Sequence, residues 1–117
     1  MNAEDKQALL NNSRAVVTRL GDDVTDLEHQ ILRTVEDIEG LQADIAALRL
    51  VRDVIFEDDD DALHAIQALS DCISILSSSV NQLSNNKRSL ECSLWGTRNA
   101  FAKLQGFGRA VRNIPDA

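Results

Sequence analysis

Between Leu10 and Leu104 the apolar positions of this chain recur in alternating steps of three and four. With Leu10 placed at the first core position (a) of a seven-residue repeat, that position reads Leu10, Val17, Val24, Ile31, Ile38, Ile45, Arg52, Asp59, Ile66, Ile73, Val80, Lys87, Leu94 and Phe101. The second core position (d) reads Ser13, Leu20, Leu27, Thr34, Leu41, Leu48, Ile55, Ala62, Leu69, Leu76, Leu83, Leu90, Thr97 and Leu104. Such spacing draws one aliphatic stripe along a helix, and that stripe has to be buried against other helices.

The stripe predicts an all-α chain with two long helices, over residues 3–55 and 62–105. Asn2 stands where a side chain caps the first free N–H groups, and Glu4 and Asp5 favour the positive end of the helix dipole. Gly21 and Gly40 each cost the first helix about 1 kcal/mol relative to Ala. Gly106 occupies the expected left-handed stop after Gln105, with Lys103 near the negative end of the dipole. Residues 1–105 then form one helical domain, and residues 106–117 form a short basic tail. Helices of these lengths would span about 65–80 Å at 1.5 Å per residue.

An acidic run of Glu57, Asp58, Asp59, Asp60 and Asp61 separates the two stretches. Successive aspartates repel one another inside a helix but are favourable just before a helix start. They predict an acidic turn over residues 56–61, with Asp60 or Asp61 capping the second helix. The repeat passes through this run in phase, so one continuous rod-like parallel coiled coil is the alternative. The stripe itself fades at Arg52, Asp59 and Ala62, which favours the turn.

Charge favours the turn as well. The net charge of −7 is the balance of an acidic first half and a basic C-terminal segment carrying Lys87, Arg88, Arg98, Lys103, Arg109 and Arg112. Folding the chain about residue 59 lays Asp22, Asp23, Asp26 and Glu28 near Lys87, Arg88 and Arg98, and Glu4 and Asp5 near Arg109 and Arg112. Exposed pairs contribute only tenths of a kcal/mol each, but together they select the antiparallel alignment over a slipped one.

Residues beside the stripe bear on helix number. The second helix carries Ala65, Cys72, Ser79, Asn86, Ser93 and Ala100 on one flank and Leu63, Ser70, Ser77 and Ser84 on the other. A two-stranded coil ordinarily carries Glu and Lys there, whereas small residues admit neighbouring helices on both sides. Val16, Val35 and Val51 widen the apolar face of the first helix. The expectation is a long antiparallel hairpin that self-associates into a coiled-coil-like four-helix bundle, a dimer first, or that pairs with another helical protein. Its oligomer core would be Val17, Leu20, Val24, Leu27, Ile31, Ile38, Leu41, Ile45 and Leu48 with Ile66, Leu69, Ile73, Leu76, Val80, Leu83, Leu90 and Leu94. Thr34 and Lys87 fall within about one layer of each other, and Lys87 can reach Glu28 or Asp37 with its stem still packed. They are read as layers that set register.

Composition excludes more than it identifies. Aromatic content is 3%, with no Tyr, which starves a sandwich or barrel but suits an aliphatic bundle. No apolar run reaches membrane-spanning length, and the first residues lack an apolar leader, so an intracellular, cytoplasmic or nuclear protein is expected. Cys72 and Cys92 lie too far apart on one helix to bridge, which fits reduced thiols. The glycosylation sequon at Asn11, Asn12 and Ser13 would be idle in that compartment. His29, His64 and Cys92 share the outermost repeat position without ligand spacing, so no metal is expected. The acidic run lacks the glycine and distal glutamate of a calcium loop. No phosphate loop, nucleophile elbow or dinucleotide fingerprint occurs, so neither a cofactor nor catalysis is expected.

The C-terminal segment mixes Trp95, Phe101 and Phe107 with Arg98, Lys103, Arg109 and Arg112. The plainer reading closes the open end of the bundle against residues 1–16. The functional reading is a partner patch built from residue types that dominate binding hot spots. The expected function is thus a non-enzymatic helical assembly or adaptor protein. One alternative is an acidic inhibitor that presents Glu57, Asp58, Asp59, Asp60 and Asp61 in place of nucleic-acid phosphate. Another is a peripheral membrane protein acting through its basic end. Direct nucleic-acid binding is disfavoured by four dispersed cations in an acidic chain.

Overall fold

The computed structural model describes residues 1–55 and 60–116. Two helices, α1 (Ala3–Asp53) and α2 (Asp60–Arg112), form an antiparallel hairpin. The continuous rod is thereby set aside. Residues 56–59, on which much of the expected acidic turn falls, lie outside the described residues. Asp60 and Asp61 stand in the first turn of α2, where the helix dipole favours carboxylates.

The helix ends follow local chemistry at the start and depart from it at the finish. Asp5 donates its backbone N–H to Asn2 Oδ1 at 2.8 Å, the hydrogen bond of an N-cap. α1 closes with three-residue backbone bonds, Val54 N–H to Val51 O and Ile55 N–H to Arg52 O. The stop expected at Gly106 does not occur. α2 runs through Gly106 and Gly108 to Arg112, and no glycine takes a positive φ. Packing accounts for the extension: Gly108 is buried, a Cβ placed there would meet Ser13 Oγ at 4.0 Å, and Val111 is only 3% exposed. Burying Val111 outweighs the roughly 1 kcal/mol that each glycine costs the helix.

The hairpin comprises two compact units. In the first, Met1–Gln30 and Leu90–Ala117, the a and d side chains pack between the helices with Leu94 and Val111 buried. The Phe101 ring lies against Gly21, where an added Cβ would sit 3.4 Å from the ring. An alanine methyl there would touch the ring at the near edge of van der Waals contact. Ser13 opposite Gly108 and Gly21 opposite Phe101 set a register one or two residues beyond a fold about residue 59. This shift changes the ion pairs. Arg98 and Glu28 form one at 2.9 Å, as charge pattern predicts. Among the described residues Glu4 and Asp5 do not pair with Arg109 or Arg112. Lys6 instead donates to the Ile114 carbonyl at 2.7 Å and pairs with Asp116 at 3.4 Å.

In the second unit, Ile31–Ser89, Ile45 and Ile73 are buried. Ile38, Leu41, Leu48, Ile66, Leu69, Leu76, Val80 and Leu83 are half-buried. Thr34 and Lys87 are half-buried too, so both polar positions belong to the stripe.

Candidate functional site

Helical periodicity decides which side chains line the grooves beside the stripe. In the first unit an open groove of about 350 Å³ runs between the helices. Leu10 and Val17 of α1 and Leu104 of α2 form its aliphatic floor, with Ser13 and the backbone of Gly108. Arg14, Arg109, Arg112 and Gln105 form its rim. The spacing is the cause: Arg14, Gln105 and Arg112 follow core positions directly, and Arg109 stands one residue after Gly108. The absence of a side chain at Gly108 leaves the groove open beneath the guanidiniums. Its lining holds three arginines and no carboxylate.

The second unit carries a groove of about 440 Å³ with the opposite sign. Leu41 and Leu83 floor it, Gly40 keeps one wall low, and Glu36, Asp37 and Asp44 supply the rim. Asp37 and Asp44 are one repeat apart and Glu36 adjoins them, so the three carboxylates are neighbours on α1. This groove holds no cation.

The residues expected to form a C-terminal patch separate in the structure. Trp95 is 72% exposed and does not close the open end of the hairpin. Phe107 is 43% exposed. Phe101 is half-buried against Gly21 and serves packing. Arg98 is engaged with Glu28, while Lys103 is exposed and lines neither groove. Arg109 and Arg112 meet in the basic groove. Sequence reasoning missed Arg14, which joins them from the other helix. Its signal was present: Arg14 immediately follows the d residue Ser13, and an antiparallel fold brings that flank beside the end of α2. Only the premature stop at Gly106 concealed it.

Cys72 and Cys92 are free and exposed. Among the described residues no group of three or more His, Cys, Asp and Glu side chains is arranged to hold a metal ion. No described helix is long and apolar enough to cross a membrane. The chain matches no protein-family model, no curated protein and no solved structure.

Proposed function

We propose that this chain is a non-enzymatic helical assembly or adaptor protein that associates through its heptad stripe, with a second copy of itself first. One observation carries the reading: the stripe faces inward throughout both units yet stays half-covered. Among the described apolar residues only Ile45, Ile73, Leu94 and Val111 are buried, and no side chain is fully enclosed. A hairpin has one helix against each stripe, and a bundle needs at least one more to finish the burial.

Magnitudes support this. The chain exposes 8212 Å², whereas a folded monomer of its 12.9 kDa mass ordinarily exposes roughly 6,300 Å². Large side chains outside the stripe add to the exposed apolar surface. In the second unit Leu50, Val54 and Ile75 are 66–70% exposed, with Leu32, Val51 and Leu63 about half exposed. Further helices laid over the flanks, where Ser70, Ser77 and Ser84 permit close approach, would finish the burial of the stripe.

Sedimentation equilibrium tests the reading. The expected result is a dimer or a small closed oligomer at micromolar concentration that survives raised salt, because apolar burial is not screened. A monodisperse monomer across that range would exclude it.

A further inference from the structure

The two grooves are alike in construction and opposite in charge. We infer that the arginine groove of one copy docks onto the acidic groove of a second copy, and that this contact orients the copies within the assembly. The inference rests on the self-association proposed above and adds a specific contact to it.

Each groove lacks the charge that would neutralise its rim. Arg14, Arg109 and Arg112 surround Leu10, Val17 and Leu104 with no carboxylate among them. Like charges gathered on one rim repel, and they are best satisfied by an anionic occupant. The aliphatic floor asks that this occupant also bring apolar surface, which a free inorganic anion does not. The chain itself supplies such a surface. Glu36, Asp37 and Asp44 stand around Leu41 and Leu83 with no cation among them. All three arginines and all three carboxylates are exposed, so none is committed to the core.

Side-chain shape makes a rim-to-rim contact workable. An arginine lays its methylenes over leucine while its planar guanidinium presents paired N–H donors to a carboxylate. Both rims would exchange water for charge-assisted hydrogen bonds, and both floors would be covered by aliphatic stems. Heptad stripes alone discriminate weakly between parallel, antiparallel and slipped partners, and flanking charges are the usual means of choosing. Opposite grooves on one chain perform that selection.

Charge reversal with full-length protein tests the inference. One variant carries Arg14→Glu, Arg109→Glu and Arg112→Glu, so that both grooves are acidic. The other carries Glu36→Lys, Asp37→Lys and Asp44→Lys, so that both are basic. A control carries Arg19→Glu, Arg33→Glu and Lys103→Glu, three exposed cations outside both grooves, with the same change in net charge as the first variant. Circular dichroism confirms that each stays helical, and sedimentation measures association at ionic strengths of about 0.01 M and about 1 M, where the screening length falls from roughly 30 Å to 3 Å.

At low salt each groove variant should self-associate about tenfold more weakly than wild type or worse, and the control should match wild type. An equimolar mixture of the two groove variants should recover wild-type association as a heteromer. At high salt all the proteins should converge. Groove variants that assemble like wild type would overturn the groove contact and leave stripe-driven assembly standing, whereas a monomeric wild type would overturn both. Failure of the mixture to recover, or equal weakening in the control, would also sink the groove contact. Recruitment of wild type but not the Arg-to-Glu variant to phosphatidylserine vesicles, without a change in association, would assign the basic groove to a lipid surface instead.

Discussion

Two isoleucines two residues apart show how strongly face governs consequence. Ile73 is 7% exposed and Ile75 is 66% exposed. Ile73→Ala should destabilise the fold by about 2–4 kcal/mol through lost transfer energy and a residual cavity. Ile75→Ala should cost well under about 1 kcal/mol in the isolated hairpin. Urea denaturation of both variants checks the contrast, and equal losses would mean that the stripe has been assigned to the wrong face. The glycines offer a second comparison. A Cβ at Gly96 meets nothing within 4 Å, whereas at Gly21 it meets the Phe101 ring at 3.4 Å. Gly96→Ala should therefore gain close to the full helix-propensity difference of about 1 kcal/mol. Gly21→Ala should gain distinctly less, as seen in the shift of the thermal midpoint. Trp95→Ala should leave stability almost unchanged, since its ring is 72% exposed. A protein that fails to fold would restore the view of Trp95 as the plug of the hairpin's open end.

At the level of elements, the stripe was legible because burial in a helical pair depends on little beyond position. Each described a and d residue from Val17 to Leu94 is half-buried or buried. The end of α2 was not legible, because glycine's preference for a helix stop is local while the burial of Val111 and Gly108 is set by α1, about a hundred residues earlier in sequence. Phe101 carried two readings, a stripe position and a member of the terminal patch, and only the register shows that it faces Gly21. Arg14 was overlooked once the terminal turns of α2 were taken for a tail. A deletion of residues 106–117 tests their structural role. It should accelerate amide exchange over residues 3–17 of α1, which lose Val111 and the Lys6 contact, while exchange within Ile31–Ser89 stays slow. Unchanged protection over residues 3–17 would mark these last turns as an appendage.

For the whole molecule, stability and association should be one quantity. If the stripe completes its burial only between copies, the thermal midpoint rises with protein concentration, because dilution removes part of the folded state's contacts. A midpoint constant over a hundredfold dilution would show that the hairpin stands alone. The hook at the chain ends has a practical consequence. Lys6 holds the Ile114 carbonyl and Asp116, which brings residue 6 within side-chain reach of residue 116. A short flexible linker can therefore join the present ends, and new ends opened within residues 56–59 would yield a circular permutant with the helix order reversed. In such a molecule the arginines of the basic groove would flank a covalent loop rather than two chain ends, a ready place to graft a reporter that senses what settles there.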